Sequence, residues 1–297
     1  MSRFDLVGET PLVRLRKVVA PLPPGVELWA KIEAANPGGS VKDRAARAIL
    51  LDRIERGIPP GARLLDSSSG NTGIAYGSFC AELGIPLTLV LPANANKERK
   101  RILQAYGVEL ILSDPLEGSD GAIRTAKAMA SAEPDRWVYL DQYSNPANPR
   151  AHELGTAEEI WRQTGGRVTH WVAGLGTTGT FVGTTRGLRA RNPGIQAVAV
   201  QPAGPFHGLE GLKHLPSAIA PAIWDPSTVD GYLWAPTEDS LELRQRLGRE
   251  EGLLVGPSSG AALWGALQVA RGLESGVVVT LFPDGGERYV SEEHLWD

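Results

Sequence analysis

The arrangement that most limits what this chain can become is a repeated order of short apolar run, small polar loop and helical pattern. Strand-like runs at 63–66, 87–91, 108–112 and 138–140 alternate with helical patterns at 71–83, 97–106 and 119–132. A polar, Pro-punctuated passage at 145–149 reads as a boundary or hinge. Beyond it, strands at 170–173, 197–201, 253–255 and 277–282 alternate with helices at 151–163, 180–191, 237–251 and 261–271. Strands joined through helices imply right-handed crossovers and largely parallel sheets. The expectation is an α/β chain of two three-layer domains with a cleft between them. Residues 202–234 show no clear period and are expected to form a long functional loop or an irregular insertion.

Size and charge narrow the function. The 297 residues, 42% of them hydrophobic, suffice for two domain-sized cores. With 34 acidic against 30 basic residues, the net charge of −4 gives no support for a nucleic-acid partner. No apolar run reaches the roughly 18 residues of a membrane span, and the N-terminal residues carry no signal-peptide pattern, so a cytoplasmic protein with no membrane partner is expected. Cys80, the single cysteine, lies on an apolar helical stretch at 74–83 and reads as a buried structural thiol.

Chemistry concentrates in loops between strand and helix. In Asn36-Pro-Gly-Gly-Ser-Val-Lys-Asp-Arg44, Lys42 falls between a strand at 27–32 and a helix that begins near Lys42 itself. The first turn of a helix carries positive dipole and free N–H groups, which disfavour an ammonium. A lysine there suits Schiff-base chemistry better than a plain ion pair. The plain alternative is a solvated lysine in a helix that starts late.

The loop Asp66-Ser-Ser-Ser-Gly-Asn-Thr-Gly73 sets small hydroxyls at a helix N-terminus, a site for a carboxylate or phosphate, or else a capped turn. The loop Gly174-Leu-Gly-Thr-Thr-Gly-Thr180 combines glycines, which let backbone approach an anion, with hydroxyl donors. A phosphate cradle is the physical reading. A dinucleotide loop competes, but nothing acidic follows about 20 residues on, where a ribose partner belongs. A further strand-to-helix loop runs Gly256-Pro-Ser-Ser-Gly-Ala-Ala262, where Ser259 reads as an N-capping serine.

The lysine run resembles the pyridoxal-phosphate lysine motif of the cysteine synthase and cystathionine β-synthase family, and matches extend from Gly8-Glu-Thr-Pro-Leu12 to Gly286-Glu-Arg-Tyr289. The resemblance implies a fold type II pyridoxal-phosphate enzyme, tryptophan synthase β-like, with the cofactor in the interdomain cleft. It implies a smaller mobile domain at 36–144 and a larger one from 1–35 and 145–297. It also implies a homodimer, and synthesis of cysteine from O-acetylserine and sulfide by β-replacement.

Site roles follow residue by residue. Lys42 carries pyridoxal 5′-phosphate as an imine and then serves as general base; Asn71 bonds the ring hydroxyl; Gly176, Thr177, Thr178, Gly179 and Thr180 hold the phosphate. Ser258 faces the ring nitrogen, where a hydroxyl donates without protonating, which favours β-elimination over transamination. Ser68, Ser69, Thr72 and Gln142 bind the substrate carboxylate. No metal is implied.

Departures from the family matter too. Ser68 stands where threonine is frequent; Ala93 to Lys97 replace a Met-Ser pattern; Lys213 and His214 replace an arginine pair associated with thiosulfate. Lys213 keeps one positive charge without the bidentate fork, so sulfide is the expected donor and thiosulfate, giving S-sulfocysteine, a second. The competing readings are O-phosphoserine or cystathionine chemistry, a dehydratase, and a catalytically silent cofactor-binding regulator.

Overall fold

The protein is described from a computed structural model that covers residues 2–68 and 70–292. In chain order the elements are β1 (Leu12–Arg14), β2 (Gly25–Ile32), α1 (Lys42–Glu55), β3 (Arg63–Ser67), α2 (Asn71–Leu83), β4 (Leu87–Pro92), α3 (Lys97–Ala105), β5 (Glu109–Ser113), α4 (Gly118–Ala132) and β6 (Trp137–Tyr139). They continue with α5 (Ala147–Ala151), α6 (Ala157–Gln163), β7 (His170–Gly174), α7 (Gly179–Arg191), β8 (Gln196–Pro202), β9 (Gly231–Ala235), α8 (Thr237–Arg246), α9 (Pro257–Arg271) and β10 (Ser275–Phe282). Two compact units result: Met1–Val7 with Lys42–Asn148, and Gly8–Val41 with Pro149–Asp297. Among the described residues no helix is long and apolar enough to cross a membrane.

In the smaller unit the sheet order is β5-β4-β3-β6, all parallel. Side chains alternate between faces along each strand. Leu64, Leu87, Leu89 and Leu91 therefore meet Ile49 and Leu50 of α1 and Tyr76 and Phe79 of α2. Leu65 and Val90 face the other way, onto Ala122 and Ala126 of α4. Every residue of β4 is buried, as expected for a parallel strand covered on both sides. Cys80 is buried in the first of these layers, and burial pushes its thiol up to about 12, consistent with an inert structural role.

The larger sheet runs β1-β2-β10-β7-β8-β9, parallel except for the antiparallel β1–β2 pair. One face of it packs on α8 and α9 through Val26, Leu28, Val172, Val200, Leu263 and Ala266. The other packs on α6 and α7 through Trp171, Ala197, Val279, Ile160, Phe181 and Leu188. Lys31 on β2 is fully buried, with Glu159 of α6 at 2.6 Å and Gln163 at 2.9 Å. Breaking a buried ion pair by removing one partner typically costs about 3–5 kcal/mol.

Both sheets have a switch point. From β3 the chain steps outward through β4 to β5, then returns to place β6 on the far side of β3; from β7 it steps through β8 to β9, then returns with β10. At such points the loops beyond the strand C-termini diverge and leave a crevice. The serine-rich loop follows β3, and the glycine-threonine loop follows β7.

Several expectations are corrected. The strand expected at 253–255 is a single bridge, Val255 to Gly285, because left-handed Gly252 precedes it and Gly256 ends it. The supposed loop at 202–234 ends in β9, an edge strand whose Tyr232 and Trp234 remain 44% and 43% exposed. The helices expected at 151–163 and 237–251 contain π-turns, His152–Thr156 and Leu247–Glu251. Residues 2–7 group with 42–148, the Phe4 ring lying 4.4 Å from that of Phe79, and residues 36–41 group with the larger unit, with Val41 in the layer around Trp171.

Candidate active site

The lysine loop is held by polar groups of its own unit. Thr10 donates to the Glu33 carboxylate at 2.7 Å, Asn36 donates to the same carboxylate at 2.8 Å, and the Gly8 N–H donates to Asn36 Oδ1 at 2.9 Å. Glu33 is fully buried. This ring of bonds accounts for the Gly-Glu-Thr stretch near the N-terminus. Gly39 has φ +78°, and a β-carbon on it would stand 2.5 Å from Arg288. The Val41 N–H donates to the Pro283 carbonyl at 2.8 Å, after which Lys42, half-buried, opens α1. The helix does begin at the lysine.

In the smaller unit, Thr72 and Gln142 meet across the switch point. Thr72 Oγ1 donates to Gln142 Oε1 at 2.8 Å, and both residues are buried. Ser68 Oγ accepts the N–H groups of Gly73 at 3.0 Å and Gly70 at 3.3 Å, so the serine caps the helix entry while its own proton stays directed elsewhere. Asn71 is the first residue of α2. Ser69 lies outside the described residues. Sequence reasoning quoted Asp66 as the start of this loop without giving it a role. Its carboxyl group is fully buried, and burial, with the nearby Asp141 charge, lifts it to about 7 against the opposing pull of the Ser67 and Gln142 N–H groups. The signal was available in a charge closing an apolar run, Leu64-Leu65-Asp66.

In the larger unit, the loop after β7 folds against residues 211–213. A β-carbon on Gly174 would meet Leu212 at 2.5 Å, and one on Gly176 would meet the Gly211 carbonyl oxygen at 2.5 Å. The Lys213 N–H donates to the Leu175 carbonyl at 2.7 Å. Thr178, the N-cap of α7, has φ +72°, and its Oγ1 is buried with no hydrogen-bond partner among the described residues. Thr177 is buried and Gly179 begins the helix. Thr180 Oγ1 lies 3.2 Å from His152 Nε2, whose Nδ1 is 2.9 Å from Thr156 Oγ1.

Ser258, in the first turn of α9, is buried with its Oγ 3.7 Å from the position a Gly211 β-carbon would take. The larger unit therefore brings together the 174–180 loop, Gly211, Lys213 and Ser258. Ser259 does not cap α9 as expected: Gly256 is the N-cap, and the buried Ser259 Oγ has no hydrogen-bond partner among the described residues.

Three non-glycine residues among those described have left-handed backbone: Glu9, Asp141 and Thr178. They fall in the Gly-Glu-Thr stretch, beside Gln142, and in the glycine-threonine loop. Strain of this kind, of order 1–3 kcal/mol each, concentrates at functional sites. A loop with Gly176 pressed on backbone, an unsatisfied buried hydroxyl and the amides of a helix start offers donors of the kind an anion needs.

The family described as pyridoxal-phosphate dependent enzyme matches residues 3–284. A cysteine synthase of Aquifex aeolicus is 52% identical over 294 residues, which span 97% of this chain and 90% of that protein. Cysteine synthase B of Salmonella typhimurium is 42% identical over 295 residues, 97% of this chain and 96% of its own. The crystal structure of a cysteine synthase from Entamoeba histolytica superposes with a TM-score of 0.94 at 33% identity, covering 99% of this chain and 90% of that one.

Proposed function

Because this chain belongs to the family of pyridoxal-phosphate dependent enzymes, we infer that it is a cysteine synthase, converting O-acetyl-L-serine and sulfide to L-cysteine and acetate. Pyridoxal phosphate, when bound, supplies the electron sink that makes an amino acid's α-proton removable. The residues fit that group. The observation that carries the fit is Thr178 Oγ1, a buried hydroxyl without a partner among the described residues, set beside Gly176 at the start of α7. Gly176, Thr177, Thr178, Gly179 and Thr180 hold the phosphate in this reading, Asn71 bonds the ring hydroxyl, and Ser258 donates to the ring nitrogen.

Lys42 binds the cofactor through its amine. Lys42 would also serve as the general base that takes the substrate's α-proton. Ser68, Ser69, Thr72 and Gln142 receive the substrate carboxylate. A hydroxyl from Ser258 rather than a carboxylate would leave the bound ring uncharged, which would favour β-replacement over transamination. The reading includes a cytoplasmic homodimer and, through Lys213, some use of thiosulfate. Light scattering at twice the chain mass of 31.7 kDa tests the dimer.

The decisive experiment is a visible absorbance scan of the purified protein before and after O-acetylserine, then after sulfide, with cysteine assayed in parallel. A band that shifts with the first, returns with the second and yields cysteine is expected. Normal turnover by Lys42→Ala would remove the lysine from the account, and a band indifferent to O-acetylserine would move the substrate to another β-substituted serine.

A further inference from the structure

The β3–β6 ladder ends at the Leu140 N–H, which donates to the Leu65 carbonyl at 2.9 Å. Beyond it the chain turns through left-handed Asp141. There a side chain takes over from the ladder. Asp66 Oδ2 accepts the Gln142 N–H at 3.3 Å, and Oδ1 accepts the Ser67 N–H at 2.7 Å. Gln142 is committed further: Nε2 donates to the Ser67 carbonyl at 3.0 Å, Oε1 accepts from Thr72 at 2.8 Å, and its carbonyl accepts from Asn148 at 2.8 Å. Among these bonds one Nε2 proton of Gln142 is left to meet a ligand.

We propose that Asp66 is a positioning residue for the carboxylate of the amino-acid substrate: it fixes the Gln142 main chain beside Ser67, so that the free Nε2 proton and the loop to Thr72 keep one spacing. This rests on the reading of Gln142 and Thr72 as the carboxylate subsite. Asp66 does not touch the substrate; it acts through Gln142. The groups facing it are Tyr76 of α2, Tyr139 of β6, and Asp141 and Tyr143 after β6, with Lys127 of α4 4.0 Å from Asp141 and Asp120 of α4 near Tyr143. Burial raises all three phenols, Asp66 adding to the rise, so they remain neutral.

A carboxyl group that titrates near neutrality there couples to the ligand. An incoming carboxylate at Gln142 is repelled by ionised Asp66, so above pH about 7 Asp66 weakens amino-acid binding, on top of the ordinary rise in affinity as the amino acid's ammonium loses its proton. An amino-acid amide carries no such charge and escapes the coupling.

The test uses the holoenzyme and its visible band to titrate L-serine and L-serinamide. Asp66→Ala is expected to weaken L-serine by about tenfold or more while leaving L-serinamide within about twofold. Relative to the wild type, Asp66→Asn is expected to bind L-serine progressively more tightly as pH rises through about 7, a ratio in which the titration of the ligand's amine cancels. Equal weakening of both ligands, or a ratio of Asp66→Asn to wild-type affinity that does not change with pH, overturns the proposal while the cofactor reading stands. A wild-type protein without a visible band overturns both. If Asp66→Ala does not fold, the pH profile of Asp66→Asn relative to wild type decides alone.

Discussion

A β-carbon on Gly176 would stand 2.5 Å from the carbonyl oxygen of Gly211, so two loops of the larger unit meet with no room for a side chain. Gly176→Ala must push backbone against backbone, an overpacking that typically costs about 1–3 kcal/mol. The expected result is a lower melting temperature and weaker pyridoxal-phosphate binding, read by equilibrium dialysis of the apoenzyme.

Thr178→Val keeps the shape and removes a buried hydroxyl that has no partner within the described chain. The apoenzyme should therefore be as stable as wild type or slightly more so. Cofactor affinity should fall by roughly 1.5–3 kcal/mol, the contribution of a hydrogen bond to a charged group. Unchanged affinity would take this hydroxyl out of the phosphate site.

Asp66 also governs stability against pH. Its folded value of about 7 lies above its ordinary 3.8, so between those values the folded chain keeps a proton that the unfolded chain has lost. Stability from this group accordingly falls as pH rises from about 4 to about 7, then levels. Asp66→Asn cannot titrate, and its stability relative to wild type should improve by roughly 2–3 kcal/mol between pH 5 and pH 8 in denaturant unfolding.

Lys213 is half-buried and tied by its main chain to Leu175, next to the proposed phosphate loop. A positive charge there would favour a doubly charged donor over sulfide. Lys213→Ala should lower kcat/KM for thiosulfate about tenfold more than for sulfide, a difference of about 1.4 kcal/mol. Equal losses with both donors would leave Lys213 without a role in selecting them.

Cys80 is 2% exposed with a thiol raised to about 12, so the native protein should not react with a thiol reagent at pH 8. Labelling should instead track unfolding, a direct assay for the variants above. Rapid labelling of the native chain would contradict the buried position.

Much of this was legible before any coordinates. The starts of α1 at Lys42 and α2 at Asn71 follow from strand, loop and helix signals that agree with one another, because a buried parallel strand and its following helix have distinct periods. β9 was not, since an edge strand that leaves Tyr232 and Trp234 outside lacks the continuous apolar run of its neighbours. Ser259 was misread because serine is a good N-cap in general, whereas here Gly260 lies so close to the Ser240 carbonyl that α9 starts with its serines buried. The role of Asp66 was hidden for another reason. Its partner, the Gln142 main chain, lies beyond the end of a strand pairing that no local pattern reveals.

The close contact of α7 with the helix before it carries a lesson for redesign. A β-carbon on Gly183 would overlap the Pro149 carbonyl at 1.9 Å, and one on Gly187 would meet the Glu153 carbonyl at 2.5 Å, so the helix that presents Thr180 cannot slide along its neighbour. Directed evolution should therefore leave these glycines untouched and diversify exposed positions such as Phe206, which is 98% exposed.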